Sequence, residues 1–260
     1  MKRYLKLYSR ILKLSLMRAL AYPQDFWTWA IVDIVWAVVG IGFFRVLLFA
    51  IPEISGWTFE MLSIPLGILY FLNAVIWGLL WSNMLEIPRD INKGNLDMYL
   101  TKPANSQFLV STRFIGLNLF PSVMAGSFLL WYGFRANNLP PVMLAVVPVA
   151  IISASLLSYS VWFMMTTLAF WFNRLLNVVH IFPHSLDIAR YPVAIFHPFI
   201  QFLFTYIVPF AMLGFLPAEV ILGYKSPIVL LLPIVLAMIL LYLSHKFWNF
   251  SLRRYSSASS

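Results

Sequence analysis

The chain has 260 residues, of which 62% are hydrophobic and 10% are charged, and it contains no cysteine. This small number of polar residues could not cover the surface of a soluble domain. The composition therefore excludes a soluble globular protein. The lack of cysteine excludes a disulfide framework and thiolate chemistry. Several apolar runs reach the roughly 20 residues needed to cross a hydrocarbon core of about 30 Å, which predicts an all-α integral membrane protein.

Residues 1–22 predict an amphipathic helix that lies in the membrane interface. Arg3, Lys6, Arg10 and Lys13 recur at helical spacing on one face, and apolar residues cover the other. The pattern lacks the uninterrupted apolar region and the cleavage site of a secretory signal, whereas a mitochondrial transit peptide stays open. Pro23 is expected to end this helix and to start the turn into the membrane.

Six spans are predicted along the rest of the chain. They cover residues 26–50, 64–85, 108–132, 141–172, 191–213 and 227–247. The fourth stretch is too long for one untilted crossing, so we expect it to project beyond the bilayer or to bend near Pro148. Six crossings place both termini on the same side of the membrane.

The basic residues predict which side that is. All but three of the 18 Lys and Arg fall on the side of the termini, and the exceptions are Arg45, Arg135 and Lys225. Cytoplasmic segments of membrane proteins carry such an excess, so both termini are predicted to be cytoplasmic. The net charge of +9 follows from this asymmetry and from contact with anionic headgroups, and nucleic-acid binding need not be invoked.

The connection after the second span, residues 86–113, is the most informative polar segment. It holds three of the nine acidic residues, and a mere connector could be much shorter. Asn95 or Gly94 can cap a short helix over residues 96–100, which Pro103 closes. Such a helix is suited to docking a soluble partner, but a solvated loop that rests on headgroups fits the composition equally well.

Three runs in this sequence resemble the permeases of ABC-2 exporters. They are GNLDMYLTKP at residues 94–103, RYPVAIF at residues 190–196 and IVPFAMLGFLPAEVILG at residues 207–223. Together with the six-span plan and the basic N-terminal helix, they are most similar to the bacterial branch in which an operon pairs two permeases with one ATPase. The resemblance implies one ABC-2 type transmembrane domain over residues 1–260.

The resemblance implies an exporter subunit in the bacterial cytoplasmic membrane that forms half of the translocation pathway. Its partners would be two cytosolic ATPase subunits, a second permease, identical or paralogous, and membrane lipids. The sequence contains no G-x-x-x-x-G-K-[ST] phosphate loop. This chain is therefore expected to be non-catalytic and to bind no cofactor, with ATP and Mg on the partner ATPase.

The family's coupling segment corresponds to residues 86–107, and its re-entrant extracellular segment to residues 214–226. Leu96 and Leu100 lie four residues apart, so we expect them to present one apolar face to the ATPase, with Asp97 beside it. Carried over by the resemblance, ATPase docking falls on Glu86, Arg89, Asp90, Lys93, Gly94, Asn95, Leu96, Asp97 and Leu100.

A few polar residues inside or near the spans are further candidates. Asp33 lies within the first span, where an acid can serve a pathway or can snorkel and pair with a basic residue. Asn73 and Asn83 in the second span can line a pathway or, as we favour, bond across a helix interface. The cluster His180, His184 and Asp187 has metal-like spacing, but Pro183 weakens the helix that would align it, so no metal site is predicted.

Two other classes of function were compared with the permease. A secondary transporter or channel of six helices without an ATPase partner stays the alternative, although no internal repeat is visible. An intramembrane protease would need G-x-S-x-G-like or H-E-x-x-H chemistry, and neither pattern occurs. The apolar spans are compatible with an amphipathic or lipid-like cargo and do not identify it further.

Overall fold

The structure is a computed structural model that describes residues 2–21, 23–116, 119–172, 176–207 and 209–255. Within these ranges the chain forms helices joined by loops. An isolated antiparallel β-bridge joins Ile54 and Trp57. The predicted all-α fold is confirmed. Met1 and Tyr22, which bound the predicted N-terminal helix, lie outside the described residues, as does Arg174.

The α-helices of the described ranges are numbered here in chain order. They are α1 (Lys2–Ala21), α2 (Pro23–Ala50), α3 (Phe59–Val75), α4 (Trp81–Lys93), α5 (Asp97–Leu100), α6 (Ser106–Ser111), α7 (Phe120–Ala136), α8 (Val146–Thr167), α9 (Leu176–Ser185), α10 (Pro198–Phe202), α11 (Phe215–Ile221) and α12 (Leu231–Leu252). A π turn at Ile76–Leu80 joins α3 and α4, so the second span is one long helix.

Four helical stretches are long and apolar enough to cross a membrane. They are Phe26–Ala50, Phe59–Lys93, Pro141–Phe170 and Pro227–Leu252, and they coincide with the first, second, fourth and sixth predicted spans. A fifth apolar stretch is bent, because Pro198–Thr205 and Phe210–Ile221 meet at 61°, which is the geometry of a broken span or of a re-entrant loop. The chain is therefore a multi-pass membrane protein, and the count of six crossings stays a prediction.

The third predicted span begins later than expected. Continuous helix starts at Phe120 rather than at residue 108, and α7 has 17 residues, a length of about 26 Å. The helix α6 covers residues 106–111, and residues 112–116 are not helical because α4 and the π turn satisfy part of their backbone: the Gly116 N–H donates to the Gly78 carbonyl at 2.6 Å. Non-helical backbone is tolerated near a membrane where protein groups bond it.

The fifth predicted span, residues 191–213, is not one continuous helix. Pro192, Pro198 and Pro209 interrupt it, and each lacks the N–H that a helix interior requires. The chain instead forms short helical pieces before it turns into α11. The helix α11 is largely buried against α3 and α8, and the ring of its Phe215 lies 5.0 Å from that of Trp57.

The second span extends well beyond the hydrocarbon core. Phe59–Lys93 has 35 residues, which is about 52 Å of helix against a core of about 30 Å. Residues 86–93 were expected to belong to the connection after the second span, but they continue α4, which includes Pro88. Tertiary packing explains the difference, because Met84 and Ile87 are fully buried and hold the helix through the proline.

The centre of the bundle is α3, most of whose residues are buried. It packs on α7 through small residues: a Cβ added to Gly126 of α7 would lie only 2.9 Å from the Gly67 carbonyl oxygen of α3. Such positions let two helix backbones approach closely in a membrane. On another side of the core, α8 packs on α12.

The N-terminal helix, the connection after the second span and the end of α12 lie at one end of the bundle, here called the polar end. The Ile115 N–H donates to the Ser15 hydroxyl at 3.3 Å, and the indole N–H of Trp248 donates to the Ser106 hydroxyl at 3.0 Å. The distribution of Lys and Arg predicted that these segments lie on the same side of the membrane. The predicted N-terminal helix is observed as α1.

Candidate functional site

The polar end carries a compact projection built by residues 86–113, here called the docking knob. It begins where Gly94 ends α4 with a left-handed φ of 75°. The Asn95 N–H donates to the Asp90 carbonyl at 3.0 Å, and the Gly94 N–H donates to the Ile91 carbonyl at 3.4 Å. This is a Schellman ending, for which glycine carries no steric cost. Gly94 therefore ends a helix instead of capping α5, and the turn aims the chain into α5.

A buried ion pair holds the knob together. Asp90 of α4 bonds the guanidinium of Arg113, and each side chain is only 10% exposed. The same guanidinium donates to the Tyr99 hydroxyl at 2.9 Å and lies 4.9 Å from the centre of that ring. Two further nitrogens of Arg113, Nε and Nη2, have no hydrogen-bond partner within the described ranges. The guanidinium therefore depends on Asp90 for its charge balance.

The prediction that Leu96 and Leu100 together form an exposed apolar face is wrong. Leu96 is fully buried in the hydrophobic core, whereas Leu100 is 37% exposed. The helical turn itself is regular, since the Leu100 N–H donates to the Leu96 carbonyl at 3.2 Å, but the core covers Leu96 completely and leaves Leu100 partly exposed. The apolar side chain that accompanies Leu100 on the surface is Met98, which is 57% exposed.

The remaining predicted docking residues divide between surface and interior. Arg89, Lys93 and Asn95 are exposed, and Glu86 is half-buried and forms an ion pair with Arg89. Asp90 is committed to Arg113, as described above. The surface that the knob offers is therefore mixed, with basic and amide groups around two apolar side chains.

Asp97 faces the C-terminal turn of the chain. Burial, followed by the negative charge of Asp97, raises the pKa of the Tyr255 phenol above its ordinary value. The same tyrosine packs against Phe170, with the ring centres 6.1 Å apart. Asp97 therefore belongs to the contact between the knob and the end of α12.

A polar network anchors the knob to two membrane spans. The Gln107 amide of α6 donates to the Tyr159 hydroxyl of α8 at 3.1 Å and to the Ser244 hydroxyl of α12 at 3.3 Å. The Gln107 amide oxygen lies 2.9 Å from Nδ1 of His245, and the Ser111 hydroxyl lies 2.9 Å from the Tyr159 hydroxyl. A displacement of α6 must therefore move α8 and α12 or break several hydrogen bonds.

The three polar candidates within the spans have different surroundings. Asn83 is fully buried and bonds the extended segment before α7: its amide donates to the Phe114 carbonyl at 2.8 Å and its oxygen accepts the Phe114 N–H at 3.0 Å. Its geometry is that of an interface residue. Asn73 is half-buried, and Asp33 is half-buried on α2, about 10 Å along the helix from the start of the span at Phe26.

The histidines lie against tryptophans of the second span. The ring of His180 lies 5.2 Å from that of Trp81, and the ring of His184 lies 5.7 Å from that of Trp77. Pro183 is accommodated inside α9. Among the described residues, no group of three or more His, Cys, Asp and Glu is close enough to hold a metal ion.

Sequence reasoning missed the two features that make the knob rigid. Arg113 was counted only as a charge on the cytoplasmic side, and Gln107 was not singled out. A signal for the first existed, because a lone acid and a lone base in an apolar environment tend to pair. The bonds of Gln107 to residues more than 50 positions away along the chain left no local pattern.

Comparison with known protein families agrees with this architecture. A family model described as ABC-2 family transporter protein matches residues 34–259, which is most of the chain and includes the knob, the bent apolar stretch and α12. The comparisons found no match among curated proteins or solved structures. With the multi-pass helical fold, the match over nearly the whole chain shows that this protein belongs to the ABC-2 transporter family.

Proposed function

We propose that the chain is the permease subunit of an ATP-driven ABC exporter and that the docking knob binds a separate ATPase. The observation that carries the proposal is the continuity of the knob with the buried second span. Helix Phe59–Lys93 runs without a break from the core to the knob, and the pair Asp90–Arg113 ties its end to α5. A displacement of Met98 or Leu100 by the ATPase is therefore transmitted to the second span, which is one long helix.

The knob suits a partner surface that is partly apolar and partly acidic. Met98 and Leu100 supply apolar contact area, and Arg89 and Lys93 supply positive charge beside it. Interfaces commonly combine an apolar centre with a polar, charged rim. The hydrogen bonds of Gln107 then pass a movement of the knob to α8 and α12.

The proposed assembly contains two permeases, identical or paralogous, and two ATPase subunits that carry ATP and Mg. Its location is a bacterial cytoplasmic membrane, with both termini and the polar end on the cytoplasmic side. The basic residues support that orientation, since Lys6, Arg10 and Lys13 are exposed on α1 at the polar end. Residues 214–226 serve as the re-entrant extracellular segment, and the 61° bend before α11 supports a re-entrant course.

A photo-crosslinking experiment tests the docking. A photoreactive amino acid at Met98 should give an adduct with the ATPase on illumination of native membranes. The same group at Val142, which is 72% exposed but lies at the other end of the bundle, should not. An adduct of equal yield from both positions, or from neither, would contradict docking at the knob.

The alternative is a secondary transporter or channel that works without an ATPase. The bent apolar stretch around Pro209 favours it, because discontinuous helices often form ion or substrate sites in such proteins. Transport that continues after ATP is depleted, in membranes that hold an ion gradient, would support the alternative. Transport that stops on ATP depletion while the gradient persists would support the exporter.

A further inference from the structure

The segment formed by α9 and the 3-10 turn Leu186–Arg190 runs antiparallel to the second span. His180 lies against Trp81, and ten residues later the guanidinium of Arg190 lies 5.9 Å from the ring centre of Tyr70. Residue numbers therefore rise along this segment while they fall along the second span. The charge asymmetry predicted Arg190 on the side of the termini, but the segment carries it away from the polar end.

Arg190 lies about halfway across the membrane. A Cβ added to Gly40 of α2 would be 2.9 Å from the Tyr70 hydroxyl and 3.7 Å from an Arg190 guanidinium nitrogen. In the span Phe26–Ala50, Gly40 is about 21 Å along the helix from Phe26 and about 15 Å from Ala50. A charged side chain at this depth is costly and is typical of functional positions.

The ion pair at this depth turns its carboxylate outward. Arg190 bonds Asp187 at 2.9 Å, and the Asp187 side chain is 56% exposed against 29% for Arg190. Asn177 and His184 are also exposed on this segment, together with one apolar residue, Ile181. The exposed residues of α2 between positions 31 and 43 are, in contrast, all apolar and suited to lipid. A polar face at membrane depth is expected to border a cavity or a ligand.

The charges around this face have a negative excess. Asp33 lies two turns from Gly40 on the same face of α2, and no ion pair within the described ranges includes it. Two carboxylates thus accompany one guanidinium, and that guanidinium is already engaged by Asp187 and by the ring of Tyr70. In a medium of low dielectric such an excess attracts a positive charge strongly.

We propose that Asp187 and Asp33 form an intramembrane binding site for amphipathic organic cations. Asp187 contacts the positive charge of the ligand, Arg190 positions Asp187, and Asp33 adds a second negative charge on the facing helix. The apolar part of the ligand lies against the aromatic side chains of the second span, such as Trp77. The inference rests on the proposed export function, whose cargo it assigns to this chemical class.

The test uses two ions of the same shape and opposite charge, tetraphenylphosphonium and tetraphenylborate. Binding to the purified complex in lipid nanodiscs is measured by equilibrium dialysis. We expect saturable binding of the cation and none of the anion. Asp187→Asn should weaken cation binding about tenfold or more, and Asp33→Asn should weaken it less. Glu53→Gln, which removes an exposed carboxylate in the loop before α3, should leave binding unchanged.

Exchanging the charges of Asp187 and Arg190 controls for loss of binding that is caused by misfolding. Asp187→Arg combined with Arg190→Asp keeps an ion pair but turns the positive group outward, so the folded variant should lose the cation and gain affinity for tetraphenylborate. The proposal is overturned if the wild type binds both ions equally or neither, or if Asp187→Asn binds the cation normally. A disulfide between two copies of Asp187→Cys in the resting complex would also overturn it, by making the face an interface between permeases.

This experiment separates the cation site from the export function. Cation binding is measured without nucleotide, so it can be lost or retained whatever the ATPase does. If the cation binds as expected but stimulates no ATP hydrolysis by the complex, the site stands and the exporter proposal fails. If the ATPase docks at the knob but no cation binds, the exporter proposal stands and the cation site is refuted.

Discussion

The docking knob makes a sharp prediction, because two apolar surface residues lie next to a buried one. Met98→Asp combined with Leu100→Asp should release the ATPase without unfolding the permease. Both side chains are exposed, at 57% and 37%, so their replacement removes little from the folded chain. Leu96 is fully buried, so Leu96→Ala should instead act on stability.

The size of the effect follows from the exposed fractions. Fully burying a Leu or Met side chain contributes about 1.5–3 kcal/mol, so covering the exposed parts of Met98 and Leu100 contributes about 2 kcal/mol to docking. Losing it weakens binding about thirtyfold, since 1.4 kcal/mol is about tenfold. The two new carboxylates add a desolvation cost, which makes thirtyfold a lower estimate. Leu96→Ala should cost about 2–5 kcal/mol of unfolding free energy.

The assay compares three variants in mild detergent: the double Asp variant, Leu96→Ala, and a control that exchanges Met98→Leu with Leu100→Met and so keeps the apolar area. Retained ATPase is measured by co-purification, and stability by the thermal loss of monodisperse protein. The double Asp variant should melt like the wild type and lose the ATPase, and the control should keep both. A double Asp variant that retains its ATPase at wild-type stoichiometry would refute the reasoning.

Three further predictions concern the buried ion pair of the knob, the packing of α7 on α3 and the orientation in the membrane. Asp90→Asn should lower the free energy of unfolding by about 3–5 kcal/mol, because it leaves the buried Arg113 guanidinium unpaired. Adding Arg113→Met should recover part of this loss. Thermal melts of the single and double variants measure both effects. Gly126→Ala should cost about 1–3 kcal/mol through the close approach of α7 to α3, measured the same way; unchanged melting would contradict that packing. The chain has no cysteine, so single cysteines can be labelled without background. Glu53→Cys should react with an impermeant thiol reagent added outside intact cells, and Thr101→Cys should not. The opposite labelling would reverse the proposed orientation.

Much of the membrane topology could be predicted from the sequence. The four stretches that pass as spanning helices all lie where apolar runs of sufficient length occur. The interruption of the fifth predicted span was also visible in part, since Pro192, Pro198 and Pro209 all fall within it. The delayed start of α7 was not visible, because the non-helical course of residues 112–116 depends on bonds from Phe114 to Asn83 and from Gly116 to Gly78.

The candidate site shows where local patterns stop being informative. A spacing of four residues placed Leu96 and Leu100 on one face, as it would on a regular helix. The turn is regular, but Leu96 is buried in a core that includes Trp248, a residue about 150 positions away along the chain. The pairing of Asp90 with Arg113 likewise joins residues that helical spacing does not relate.

The sequence by itself determined the membrane class and the helical fold, because hydrophobic run length acts locally against the bilayer. It also determined that Gly94 interrupts the chain after the second span. Only the tertiary structure decided that Met98 rather than Leu96 is exposed, that Gln107 ties the knob to α8 and α12, and that Arg190, paired with Asp187, lies beside Gly40 and Tyr70. Each of these depends on contacts between residues far apart in the chain, whose packing and hydrogen bonding outweigh local preference.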